Sequence, residues 1–163
     1  MSTHHHDMAG VALEDFVAPH RPVLVMAVAA AYHAVMRRAA EAGRQHGIDP
    51  AEALVLVHLR RDAKVAPWQI RASTGLHRST LASLLDRLER EDLIKRRRSD
   101  FDGRRWEIDL TKAGRLRAGI ADDVLLEIES EIVAWTSSSE RSGAKAVLTA
   151  CAALDHHERL EPW

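Results

Sequence analysis

The feature that most constrains this chain is a change of hydrophobic period across residues 78–110. Leu81, Leu84, Leu85 and Leu88 recur at helical spacing, and Arg78, Ser79, Ser83, Arg87 and Arg90 lie off that stripe. The pattern then turns to strand. Ile94-Lys95-Arg96-Arg97-Arg98 is followed by Arg105, Glu107 and Asp109 alternating with Trp106, Ile108 and Leu110. Between them Ser99-Asp100-Phe101-Asp102-Gly103 carries an Asp-Gly turn signal, so the segment reads as a β-hairpin placed directly after an amphipathic helix.

Helical patterns surround this unit. Pro22 suits a first helical turn, and Val25, Val28, Tyr32, Val35, Ala39 and Ala42 predict a helix from Arg21 to His46, ending near Gly47. Asp49-Pro50-Ala51-Glu52 reads as an N-cap, a proline at the first helical position and an acidic first turn, opening a short helix to Arg61. Two further helices, Pro67–Thr74 and His77–Asp92, meet through Gly75-Leu76 at helix-turn-helix spacing, which generic helical hairpins share. Thr111 caps a long helix reaching Thr136, with Leu116, Ile120, Val124, Ile128, Ile132 and Trp135 on one face. A last helix runs from about Ser139 past Leu154. Residues 1–20 show little periodicity and read as a disordered N-terminus or, given His4–His6, a tag remnant.

Composition narrows the class. The chain has 163 residues, 46% hydrophobic and 29% charged, which suits one packed globular domain. The longest uninterrupted apolar run, Val23–Ala31, falls short of the ~20 residues of a membrane span. A single cysteine, Cys151, allows no intrachain disulfide, and Met1–His6 lacks the layout of a secretory signal, so a cytoplasmic protein with no membrane partner is expected. The net charge of −1 hides a partition: residues 60–105 hold 13 Lys/Arg against 7 Asp/Glu, leaving 10 against 17 elsewhere. A nucleic-acid-binding module on an acidic scaffold has this asymmetry, and so does a merely solvated charged face.

The order of elements is that of a winged helix-turn-helix. Residues 54–114 resemble the MarR transcription regulators, most closely in Ser79-Thr80-Leu81-Ala82-Ser83-Leu84-Leu85-Asp86-Arg87-Leu88-Glu89-Arg90-Glu91-Asp92-Leu93-Ile94 and in Asp102-Gly103-Arg104 with Leu110-Thr111 beyond. The expected fold is mainly α, in the order α-α-α-α-β-β-α-α, with a dimerisation helix over 21–48, a DNA-binding lobe over 49–110 and dimerisation helices over 111–163.

A helix fits the major groove of B-DNA, where hydroxyls and arginines on its outer face can bond base edges. Arg78, Ser79, Thr80 and Ser83 are the candidates for base contacts, with helix capping the other reading for Ser79 or Thr80. Arg87, further along, would meet phosphate or brace the wing. The hairpin offers Lys95, Arg96, Arg97, Arg98, Arg104 and Arg105 against only Asp100 and Asp102 within the same interval, so phosphate is the natural counter-charge, with Arg96 and Arg98 among the contacts. The resemblance implies that Asp102 orients the hairpin through an arginine while Arg104 reaches the minor groove. Phe101 at the wing tip and Trp68 in the first motif helix depart from the family's more polar pattern.

The long terminal helices need partners for their apolar faces. A homodimer supplies them, spacing two recognition helices about one DNA turn, ~34 Å, apart on a pseudo-palindromic operator. The resemblance also implies a pocket for a small-molecule effector that releases a repressor. His33 with Arg37, His58 with Arg61, and Trp68 would suit an anionic aromatic ligand, and ordinary half-buried histidines and surface arginines are the alternative.

No cofactor is expected. His156-His157-Glu158 lacks metal-ligand spacing, and Cys151 lies among alanines, which suits a buried thiol better than a redox sensor. No nucleophile elbow or phosphate loop points to an enzyme. The competing readings are a winged-helix redox or metal sensor, and a dimeric small-molecule-binding protein that does not bind DNA.

Overall fold

The computed structural model describes residues 22–99 and 105–154. The N-terminal 1–20 and the wing tip with Asp102 and Arg104 lie outside the described residues. The elements are α1 (Val23–Gly43) with a 3₁₀ turn (Arg44–His46), α2 (Pro50–Arg61), α3 (Pro67–Thr74), α4 (Arg78–Arg90), β1 (Ile94–Arg98), β2 (Trp106–Leu110), α5 (Lys112–Trp135) and α6 (Ser138–Ala153). This is the expected mainly α winged helix. The chain divides into two compact units within α1, after Ala34. In the first, Leu24, Val25, Met26 and Tyr32 are all exposed.

The second unit holds the core. The leucine stripe of α4 buries Leu81, Leu84, Leu85 and Leu88 against Val55, Leu56 and Leu59 of α2, Ile70 of α3 and Ile94, Ile108 and Leu110 of the hairpin. Ala118 and Ala121 of α5 belong to the same cluster. The caps follow the chemistry of the sequence: Asp49 accepts the Glu52 amide at 2.8 Å, and Pro50 opens α2 where no amide hydrogen is needed. Gly75, at φ +67°, ends α3 in the left-handed region.

β1 and β2 pair antiparallel with Ile94 opposite Leu110, Arg96 opposite Ile108 and Arg98 opposite Trp106. One pairing was not legible in the sequence. Val65, between α2 and α3, exchanges both backbone hydrogen bonds with Ile108, at 3.0 and 2.8 Å, on the other edge of β2. A single bridging residue carries no period, so only the fold reveals it.

The hairpin joins α5 through a close backbone approach. The Thr111 amide donates to the Leu93 carbonyl at 3.0 Å, its hydroxyl donates to the Asp92 carbonyl at 2.7 Å, and the same oxygen caps α5 by accepting the Gly114 amide at 2.9 Å. A Cβ on Gly114 would stand 1.8 Å from the Leu93 oxygen. The glycine is therefore required by contact with backbone, which cannot move aside as a side chain tip would.

Averaged over a window, Val23–His46 is long and apolar enough to cross a membrane, with mean hydropathy 1.3, which a count of uninterrupted apolar residues misses. The apolar part ends at Met36, about 21 Å of helix at 1.5 Å per residue, against a hydrocarbon core of ~30 Å. Beyond it, Arg38 is held by Glu127 and Glu131 of α5, each at 2.5 Å. The hydrogen bond from Arg38 holds the Glu131 carboxyl below its ordinary value. A carboxyl lowered in this way contributes stability that is complete above the ordinary carboxylate range and is lost as the pH falls through the lowered value.

Two outcomes follow from this packing. Gly114→Ala should lower the urea midpoint at unchanged slope, by an equivalent of about 3 kcal/mol. In thermal unfolding, any advantage of the wild type over Arg38→Met should be largest near neutral pH and shrink below about pH 4. An advantage that grew on acidification would contradict the pairing.

Candidate nucleic-acid interface

The outer face of α4 is open. Arg78, Ser79, Thr80 and Ser83 are all exposed, whereas Leu81, Leu84, Leu85 and Leu88 of the same helix are buried. Arg78, Thr80 and Ser83 have no side-chain hydrogen bond or ion pair among the described residues. The capping alternative falls to a residue the sequence did not single out. His77 is the N-cap, its Nδ1 3.4 Å from the Ser79 amide and 2.8 Å from the Ser79 hydroxyl.

Two arginines expected at DNA are committed elsewhere. Arg87 donates to Asp49 at 2.7 Å and to Glu52 at 3.0 Å. Burial alone would lower this guanidinium, but the Asp49 hydrogen bond, with the charges of Glu52, Asp49 and Glu91, holds it above its ordinary value. Arg96 donates to Asp86 at 2.5 Å and lies 3.3 Å from Glu89, both on α4. Counting carboxylates only within the hairpin's cationic interval overlooked these partners, and it overlooked Glu107, 3.9 Å from Arg97. Arg98 lies over the Trp106 ring, 4.2 Å from its centroid, in the cross-strand pair that the register predicts.

The sequence also missed the hub beneath α4. Glu52 is fully buried, and each carboxylate oxygen has its own guanidinium: Arg117 of α5 donates to Oε1 at 2.5 Å, and Arg87 of α4 to Oε2. Arg117 also donates to the Gly47 carbonyl at 2.7 Å. Two carboxylates and two guanidiniums balance, which is the condition for burying a charge without a large penalty. The sequence places Glu52 only in the acidic first turn of α2.

Each residue expected at an effector pocket has its own local setting. His58 Nδ1 is 3.1 Å from the Ser73 hydroxyl, while its Nε2 is buried without a hydrogen bond. Arg37, Arg61 and Trp68 are exposed, Trp68 at 61%. His33 packs edge-on against Tyr32, at 5.5 Å between ring centroids. An open cleft beside α2 is lined by Leu59, Arg60, Ala63, Asp109, Leu110 and Arg115 and contains none of these five. No group of three metal-ligating side chains occurs among the described residues.

The model of the MarR family matches residues 46–105, the interval from the foot of α1 to the wing. Over these residues the chain is similar to the MarR family. Among solved structures it resembles S. aureus MepR in its DNA-binding conformation, at 25% identity and a TM-score of 0.70, with 80% of this chain and 96% of that one covered. It also resembles the transcriptional repressor CouR bound to a 23-mer DNA duplex, at 24% identity and a TM-score of 0.65, with 77% and 89% covered. CouR from Rhodococcus jostii RHA1 bound to p-coumaroyl-CoA matches at 21% identity and a TM-score of 0.72, covering 79% and 91%. No curated protein sequence matches the chain.

Within the lobe, Arg96 ties β1 to α4 through Asp86 and Glu89. Arg96→Met should speed hydrogen exchange of the 94–98 amides while changing global stability by no more than ~1 kcal/mol, as expected for a partly exposed pair. Unchanged exchange in β1 would mean that the clamp restrains nothing.

Proposed function

We propose that this protein is a DNA-binding transcriptional regulator acting in the cytoplasm as a homodimer, a repressor that a small-molecule effector releases from a pseudo-palindromic operator. The observation that carries the reading is the exposed polar face of α4, where Arg78, Thr80 and Ser83 have no side-chain partner among the described residues, while Arg87 and Arg96 of the same lobe are paired with carboxylates. Arg78, Ser79, Thr80 and Ser83 would read base edges, and Arg98 and Arg104 of the wing would meet phosphate and the minor groove, with Asp102 orienting the tip. Arg87 and Arg96 would hold the reading elements in place.

Dimerisation is supported by apolar side chains without cover: Leu24, Val25 and Met26 on α1, Ile132, Val133 and Trp135 on α5, Leu148 on α6 and Leu154 at its C-terminal cap. α6 buries none of its residues, so a helix this apolar calls for a partner. For the effector we retain an anionic aromatic compound, with His33, Arg37, His58, Arg61 and Trp68 as the residues to test. Ligand and DNA would favour dimers of different recognition-helix spacing.

Gel shift against the duplex upstream of the chain's own coding sequence tests the reading. Arg78→Glu and Arg104→Glu should each weaken binding by roughly 5- to 150-fold, the range for a lost specific contact of ~1–3 kcal/mol. Wild-type affinity should fall with salt at a log–log slope of about −0.9 per phosphate neutralised. Charge reversal without effect, or a slope near zero, would overturn the reading.

A further inference from the structure

The buried Glu52 carboxylate does more than satisfy two arginines, because those arginines come from helices with different tasks. Arg87 belongs to α4, whose outer face is the candidate reading surface, and Arg117 belongs to α5, one of the helices proposed to form the dimer. Glu52 itself sits in the first turn of α2, beside the Asp49 cap that takes a second hydrogen bond from Arg87. Arg117 extends the link to the Gly47 carbonyl, just before α2. One fully buried carboxylate is thus shared, oxygen by oxygen, between the two helices.

We infer that Arg87 and Arg117 are positioning residues for DNA binding, acting through Glu52 to fix the recognition helix against α5. This rests on the proposed DNA-binding function and deepens it. The link is stiff for three reasons. Guanidinium and carboxylate meet in fixed geometry. The carboxylate is out of water and cannot exchange its partners for solvent. A displacement of α5 that carried Arg117 away would also leave half of Glu52's charge uncompensated, so α4 and α5 are held to one arrangement. Arg87, one turn from the end of α4, is then a support for the reading surface and not a phosphate contact.

The salt dependence of binding separates these roles. A residue that touches phosphate contributes to the log–log slope, whereas a residue that only orients α4 changes affinity at every salt concentration by the same factor. The probe is a duplex recovered from a random-sequence library by the wild-type protein, with binding measured across a salt series. Arg87→Met and Arg117→Met each leave Glu52 with one guanidinium, and circular dichroism establishes that each variant is folded at the assay temperature. Both should bind about tenfold more weakly than the wild type with the wild-type slope. Should a methionine variant fail to fold, Arg87→Lys or Arg117→Lys retains the charge but loses the planar fork, and the same weakening at unchanged slope is expected. A shallower slope for the Arg87 variant would make it a phosphate contact, and wild-type affinity in the Arg117 variant would remove the link to α5. Either result overturns the inference while the DNA-binding reading stands. If the wild-type protein recovers no duplex, both fall together.

Discussion

The structure depends on how a carboxylate with no exposure to water is partnered at the meeting point of three helices. Glu52 achieves this with one guanidinium for each oxygen, from α4 and from α5, and Asp49 balances the second positive charge. Removing either carboxylate or guanidinium from such a set leaves an uncompensated partner, so the four groups constrain one another. The apolar core around them is tolerant by comparison.

The second fixed point is the junction of hairpin and α5. There the Leu93 carbonyl accepts the Thr111 amide and lies so near Gly114 that no side chain fits between them. Thr111 joins the wing to α5 with one hydroxyl, donating to Asp92 and capping the helix. α5 therefore starts where the wing ends, with no linker to absorb a change in angle. The hub and this junction are thus two separate links to α5, one to α2 and one to the end of the hairpin.

Electrostatics are partitioned within the lobe as well as along the chain. Arg87, Arg96 and Arg97 each have carboxylates nearby, at separations from 2.5 to 3.9 Å, while Arg78 lies on the open face of α4. The positive excess of residues 60–105 thus contains two kinds of arginine. Some are paired with carboxylates inside the lobe and some are exposed on its surface, a division that net charge by segment does not express.

The sequence by itself determined the elements and their order. The 3.6-residue stripe of α4, the alternation through β2, Asp49-Pro50 at the start of α2 and Thr111 at the start of α5 are local signals, set by which side chains one helix or strand places on one face. The exposed residues of the α4 face were legible for the same reason. Three things were decided only by tertiary structure: the burial of Glu52, the commitment of Arg87 and Arg96, and the bridge from Val65 to Ile108. Each joins residues far apart in the chain. Whether a charged side chain faces solvent or an opposite charge depends on what packs above it, and neither its type nor its spacing carries that information.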